Sequence, residues 1–211
     1  MLKLTSLLAF CLVVLVSCQD TNTVVDTPAT DVTVEQQTVA ELNNTANVKG
    51  ENFEVKTIDG EIKSPRKELT GTISEVPVTI NYGSPSVNDR TIFGELVPYN
   101  KVWRTGANEA TRITFAAPVL VGNEGTELAA GTYALFTMPA SKDSWTVIFN
   151  KKADQWGAYD YDEKDDLVKI RGEAAETGTT AERMDFALDG NTVKLTWADL
   201  TVSFPVKSAA K

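Results

Sequence analysis

The stretch ERMDFALDGNTVKLTW, residues 182–197, decides the fold class of this chain. Apolar and polar residues alternate on both of its arms, and the tripeptide DGN at 189–191 separates the arms. A period of two puts every second side chain on one face of an extended strand, and Asp-Gly between two such runs is typical of a tight turn. The stretch therefore predicts a β-hairpin with one buried face, formed by Met184, Phe186, Leu188, Val193, Leu195 and Trp197.

The same alternation recurs upstream in VPVTINY (76–82), TRITFA (111–116) and SWTVIFN (144–150). Short polar turns separate these runs, and no capped amphipathic helix or internal repeat lies between them. All four Trp residues fall after Ser64. We therefore predict one all-β domain over residues 64–207, an antiparallel β-sandwich with jelly-roll and Ig-like topologies both open. We expect Trp145 and Trp197 in its core, and Trp103 and Trp156 exposed.

The N-terminus predicts export and lipidation. Lys3 precedes an apolar run, Leu7 to Val16, that is too short to span a bilayer comfortably. The run ends in LVSC, which resembles the lipobox of bacterial lipoproteins, in which the cysteine is acylated and cleavage occurs just before it. We predict a signal peptide over residues 1–17 and a lipid on Cys18. This lipid would anchor the protein to a membrane of the bacterial cell envelope, with the inner and outer membranes both open.

Residues 18–63 are rich in Thr, Asn, Asp and Glu, and Phe53 is their only aromatic. Such a segment buries too little apolar surface to offset its chain entropy, so we predict a flexible, disordered tether. Within it, VTVEQQTVAELNN is compatible with a transient helix and FEVKTI with an added strand.

The composition excludes several chemistries. The chain has no His, and of its two Cys residues Cys11 leaves with the signal peptide while Cys18 is acylated. This removes His-based triads, ordinary zinc sites and disulfides, and we predict no metal and no cofactor. A net charge of −9 argues against nucleic acid as a partner, because phosphate neutralisation needs clustered Lys and Arg.

One block of the domain is distinctive: INYGSPSVNDRTIFGELVPYNKVWRTGANEATRITF, flanked by SPRKELTGTI, GTYALFTMP, WTVIFNKKADQWGAYDY and a final LTWADLTVSFPV. Together these segments resemble a family of bacterial envelope proteins known as domain-of-unknown-function (DUF) family 2911. The resemblance implies an exported, single-domain, all-β protein, and it carries over no catalytic residues.

Polar and aromatic side chains concentrate on the predicted loops of this block. An Arg fork recognises a carboxylate or phosphate, a Trp offers a flat face to a sugar or cation, and Asn both donates and accepts hydrogen bonds. A structural role explains the same composition, with Arg104 paired to Glu109 and Asn108 capping the loop. The candidate ligand-binding residues are Tyr82, Arg90, Trp103, Arg104, Asn108, Glu109, Arg112 and Trp156.

The acidic stretch DQWGAYDYDEKDD, residues 154–166, lacks the spacing of an EF-hand, and we interpret it as a solvated loop. The sequence thus predicts a lipid-anchored, non-catalytic binding module for a glycan, a peptide or a partner protein. One alternative is a polysaccharide hydrolase that uses Glu109 and a second acid. The other is a purely structural envelope protein without a small-molecule ligand.

Overall fold

Eleven antiparallel strands form one continuous curled sheet in the computed structural model, which describes residues 48–209. The prediction of an all-β fold is confirmed. The spatial order is β1-β2-β3-β4-β5-β8-β9-β10-β11-β6-β7, a meander interrupted only by the β6–β7 hairpin. The strands are β1 (Val48–Lys49), β2 (Phe53–Asp59), β3 (Arg66–Ile73), β4 (Val76–Gly83), β5 (Thr111–Phe115), β6 (Val119–Val121), β7 (Thr126–Leu128), β8 (Gly131–Pro139), β9 (Ser144–Asn150), β10 (Asp166–Asp189) and β11 (Thr192–Ser208).

The predicted hairpin joins β10 to β11. Asp189 pairs with Thr192, so that Gly190 and Asn191 form a two-residue turn. Gly190 has a φ of 57°, which glycine adopts without a steric penalty. All six residues of the predicted apolar face are buried.

A break in the alternation of β11 lets this long strand bend. Up to Trp197 the odd-numbered residues are buried, and from Leu200 onward the even-numbered residues are buried. The change occurs at Ala198, which has a φ of 51°, opposite a register shift in β10. An extra residue of this kind is a β-bulge, which bends a strand and increases its twist.

Because the sheet curls, its β3–β4 half faces the distal part of the β10–β11 hairpin, and the core lies between them. The rings of Tyr82 and Phe186 meet edge to face across this core, with centroids 4.9 Å apart. Phe149 meets Phe204 in the same way at 5.8 Å. Trp145 and Trp197 are each only 2% exposed, which confirms their assignment to the core.

The ordered sheet begins earlier than residue 64. Residues 53–59, placed within the predicted tether, form β2, and Phe53 pairs with Gly71 of β3. Val55 is buried beneath this pairing, so the segment gains a packed apolar side chain despite its polar composition. The signal peptide, Cys18 and residues 18–47 of the tether lie outside the described residues.

Residues 84–110 form a long connection between β4 and β5 that backbone hydrogen bonds hold onto the sheet. Trp103 exchanges two with Thr137 of β8, with N–O distances of 2.7 and 2.9 Å. The amide of Val87 donates to Glu182 of β10. This connection carries five of the eight candidate residues and contributes to the lining of two clefts. No helix within residues 48–209 has the length and apolarity needed to cross a bilayer.

Candidate functional site

Seven of the eight candidate residues line one of two separate clefts. The first, which we call the ion-paired cleft, has a volume of about 270 Å³ and is lined by Tyr82, Glu109 and Arg112 among others. The second, the cationic cleft, has a volume of about 280 Å³. Its lining includes four candidates: Arg90, Trp103, Arg104 and Asn108.

The cations of the ion-paired cleft are neutralised within the protein. Arg66, at the start of β3, bonds Glu109 through its Nη2. Arg112 on β5 donates to Asp154 over 2.8 Å. Lys67, which also lines the cleft, donates to Asp185 of β10 over 2.6 Å. This cleft therefore offers an anionic ligand no free positive charge.

Tyr82 has a structural role in this region. Its hydroxyl donates to Asp185 over 2.9 Å, and its side chain is buried. Burial, followed by the neighbouring Asp185 carboxylate, raises the pKa of the Tyr82 phenol well above its usual value. The phenol thus stays protonated and links β4 to β10.

The cationic cleft has a different electrostatic character. Lys63, Arg90 and Arg104 line it, and no Asp or Glu does. The remaining polar lining carries hydroxyl and amide groups that both donate and accept hydrogen bonds. The lining of this cleft is therefore positively charged, although the chain as a whole has a net charge of −9. Its polar neutral residues are Ser64, Ser86, Asn88 and Asn108.

Arg104 is the central cation of this cleft. Its side chain forms no hydrogen bond or ion pair with any residue of the described range, and its Nε is buried without an acceptor. Burial lowers the pKa of the Arg104 guanidinium from its usual value, and the Tyr159 phenol partly opposes this shift. The expected pair between Arg104 and Glu109 is wrong, because Glu109 turns to Arg66 on the other side.

Arg90 also lacks a carboxylate partner within residues 48–209. Its Nε donates to the carbonyl of Val87 over 2.9 Å, and its Nη2 donates to the carbonyl of Ser86. These bonds orient the guanidinium and leave its charge uncompensated. Arg90 therefore adds to the positive potential at the rim of the cationic cleft.

Trp103 is a buried structural residue, contrary to the expected exposure. Its side chain is 9% exposed and stacks on Trp197, with ring centroids 5.8 Å apart and an interplanar angle of 20°. Its Nε1 donates to the carbonyl of Gly106 over 3.2 Å. The Nε1 of Trp197, a residue that also lines the cationic cleft, is buried without an acceptor. The two indoles form the floor of the cleft.

Asn108 shapes the turn between the two clefts. It has a left-handed backbone, with a φ of 64°, and its side-chain amide donates to the carbonyl of Ser64 over 3.4 Å. Close beneath this turn, a Cβ on Gly83 would collide with the carbonyl of Ala107, so β4 must end in glycine. The loop-capping role predicted for Asn108 therefore coexists with a place in the cleft lining.

Trp156 is 57% exposed, as expected, and lines neither of the two clefts. Its backbone bridges to Glu109, which places the segment 155–157 beside residues 108–110. Lys63, which lines the cationic cleft, and Tyr159, which is 85% exposed, were not among the predicted ligand-binding residues. The signal for Tyr159 was present in QWGAY, where an aromatic residue follows a turn glycine.

The ion-paired cleft does not favour the hydrolase alternative. Glu109 and Asp154 both line it, but an arginine engages each carboxylate. A glycosidase general acid needs a carboxyl group whose pKa is raised by burial. The side chain of Asp154 is 93% exposed, and that of Glu109 is 39% exposed.

The acidic stretch 154–166 is organised by contacts within the protein. Asp162 caps the 3₁₀ turn Glu163–Asp165 by accepting from the amide of Lys164. Asp166 accepts from Tyr161 over 2.6 Å and from Asn150 over 2.8 Å. Within the described part of the chain, no three acidic side chains converge as metal ligands would.

Comparison with known proteins gives one match. A family model described as "Protein of unknown function (DUF2911)" matches residues 64–206, more than half of the 211-residue chain. The search of curated proteins and the search of solved structures found no match. Because the family model matches more than half of the chain, including most of the lining of both clefts, the chain belongs to the DUF2911 family.

Proposed function

We propose that this domain is a non-catalytic binding module whose cationic cleft takes an anionic ligand of the bacterial cell envelope. The observation that carries the proposal is the unpaired Arg104. Arg104 is partly buried, and a buried donor is costly unless an anion or acceptor compensates it; the described residues supply no acceptor for its buried Nε. A ligand carboxylate or phosphate would fit its planar fork.

The neighbouring cleft provides the internal contrast. Its cations Arg66, Lys67 and Arg112 each have a carboxylate partner. The chain has 29 acidic residues, yet none of them lines the cationic cleft. A shortage of acidic residues therefore does not explain their absence from this lining. This local separation of charge supports binding of an anion.

Arg104→Gln tests the proposal, with Arg112→Gln as the matched control. Inorganic phosphate, trigalacturonic acid and triglutamate would be titrated separately while Trp fluorescence is recorded, since Trp103 and Trp197 line the cationic cleft. We expect at least one anion to bind the wild type, with roughly tenfold or greater weakening in Arg104→Gln and no change in Arg112→Gln. Absence of binding by all three anions, or equal weakening in both variants, would overturn the proposal.

The lipid on Cys18 is a second part of the proposal, and it makes the envelope membrane the site of action. It rests on the LVSC motif that follows the apolar run. Labelling with radioactive palmitate during growth tests it. We expect the wild type to take up label and enter the membrane fraction, and Cys18→Ser to do neither. A labelled Cys18→Ser protein would show that the acylated residue lies elsewhere.

A further inference from the structure

An exposed aromatic pair lies next to the cationic cleft. Trp156 is 57% exposed and Tyr159 is 85% exposed, an unusual degree for two large rings separated by only two residues. The Tyr159 ring lies against Gly157, where a Cβ would come within 3.1 Å of two ring carbons. We call Trp156 and Tyr159 the aromatic shelf.

Backbone pairing fixes the aromatic shelf beside the turn that lines the cleft. The amide of Ala110 donates to the carbonyl of Gln155 over 3.0 Å, and Glu109 bridges to Trp156. A Cβ on Gly157 would lie 3.9 Å from the carbonyl oxygen of Asn108, a residue of the cleft lining. The aromatic shelf therefore adjoins the cationic cleft at Asn108, while Glu109 and Ala110 line the ion-paired cleft.

We propose that the ligand is an acidic oligosaccharide, with a uronate carboxylate on Arg104 and sugar rings against the aromatic shelf. This inference rests on the function proposed above and specifies its ligand class. The apolar face of a sugar ring packs against an exposed aromatic ring, and sugar hydroxyls use groups that donate and accept. Asn88, Asn108 and Ser86 supply such groups in the lining.

The surrounding charge favours a ligand of low charge density. Asp154 and Asp160 flank the aromatic shelf and are exposed, so they repel a polyanion with closely spaced charges. A uronic acid chain carries one carboxylate per ring, which permits one carboxylate to reach Arg104 while neutral atoms cover the shelf. Inorganic phosphate would bind the cation and leave the shelf empty. An acidic peptide places a charge on every side chain.

The test separates the ring contact from the charge contact. Trigalacturonic acid, its uncharged counterpart galactotriose, triglutamate and inorganic phosphate would be titrated into the wild type, Trp156→Ala, Tyr159→Ala and Arg104→Gln by calorimetry. Val48→Ala is the control for truncating an exposed apolar residue, because Val48 lies on β1 at the edge of the sheet.

We expect trigalacturonic acid to bind the wild type at least tenfold more tightly than galactotriose or triglutamate. Trp156→Ala should weaken trigalacturonic acid binding about fivefold while leaving phosphate binding unchanged, since an aromatic contact contributes about 1 kcal/mol. Val48→Ala should bind as the wild type does.

Two results would overturn the oligosaccharide and leave the anion-binding module standing. One is unchanged binding of trigalacturonic acid by both shelf variants together with loss in Arg104→Gln. The other is tighter, Arg104-dependent binding of triglutamate or phosphate than of trigalacturonic acid. Absence of binding by every anion would remove both the inference and the function on which it rests.

Discussion

At the residue scale, Trp103 and Trp156 differ in burial, since Trp103 packs within the fold and Trp156 lies at the surface. Trp103 is covered by Trp197 and by the sheet, and its indole N–H is satisfied by Gly106. Trp156 is more than half exposed, on a segment whose backbone bridges to Glu109. The two residues have the same chemistry, so their replacement separates packing from exposure.

Trp103→Ala should destabilise the domain by about 3–5 kcal/mol, the usual cost of removing a large buried aromatic side chain. Trp156→Ala should change the free energy of unfolding by no more than about 0.5 kcal/mol, as exposed positions do. Urea unfolding followed by circular dichroism measures both values. Comparable destabilisation by the two substitutions would contradict the difference in burial between Trp103 and Trp156.

Arg104 illustrates the opposite case, a residue that the fold tolerates rather than needs. Because the Arg104 side chain forms no ion pair within residues 48–209, its replacement breaks no ion pair. Removing a partly buried charge also removes the cost of desolvating it, which favours the folded state. Positions where stability is given up without an evident structural gain are typical of functional sites. The neighbouring residues Trp103 and Asn108 form hydrogen bonds within the fold. The loop therefore combines residues that stabilise the fold with a residue that is free to bind a ligand.

At the element scale, one polar cluster joins β3 and β4 to β10 across the curl of the sheet. Asp185 of β10 accepts from both Lys67 and Tyr82. The side chain of Lys67 is only 14% exposed, so its charge depends on this carboxylate. Arg112 and Asp154 form a pair of similar length, but their side chains are 42% and 93% exposed.

Asp185→Asn should therefore destabilise the domain by about 1–3 kcal/mol, because it leaves a largely buried Lys67 without a counter-charge. Asp154→Asn should cost less than about 1 kcal/mol, the usual range for an exposed pair. Chemical unfolding at neutral pH and moderate salt compares them. Equal losses of unfolding free energy in the two variants would mean that the Asp185 cluster stabilises the packing of β3 and β4 against β10 no more than an exposed ion pair does.

Strands with one buried face were predictable from alternation, and the β10–β11 hairpin also from its turn residues. The segment of β2 was placed within the tether because its polar surroundings dominate the local composition, although FEVKTI was compatible with an added strand. Its pairing with β3 on one side and β1 on the other places it in the sheet. The clefts were not predictable in the same way. Arg66 reaches Glu109 from 43 residues away, a contact set by the curl of the sheet and not by spacing.

At the scale of the whole molecule, the chain is acidic, yet the cationic cleft is lined by three cations and by no acidic residue. A net charge of −9 repels anions at long range, so an anionic ligand approaches against the average field. The local potential of Lys63, Arg90 and Arg104 acts mainly within about 8–10 Å at physiological salt. Binding then depends on contact at the cleft and not on steering from a distance.

Alkaline pH tests the whole fold through its buried phenols. Burial raises the pKa of Tyr82, Tyr133 and Tyr161, and a carboxylate neighbour adds to this for Tyr82 and Tyr161. Above pH 10 these phenols lose their protons in the unfolded chain before they do so in the folded protein. The folded state then binds more protons, so its stability is full below pH 10 and falls as pH rises further.

We expect the free energy of unfolding to be nearly constant between pH 8 and 9.5 and to fall steeply above pH 10. Tyr82→Phe removes one of the three contributions, so its slope above pH 10 should be shallower by up to about 1.4 kcal/mol per pH unit. The lost hydrogen bond to Asp185 lowers stability at every pH and thus leaves the slope below pH 10 unchanged. Urea unfolding at half-unit intervals from pH 8 to 11.5 measures both slopes. Identical slopes above pH 10 in the wild type and in Tyr82→Phe would show that Tyr82 ionises alike in the folded and unfolded chains, and that the contact between β4 and β10 leaves the phenol open to solvent.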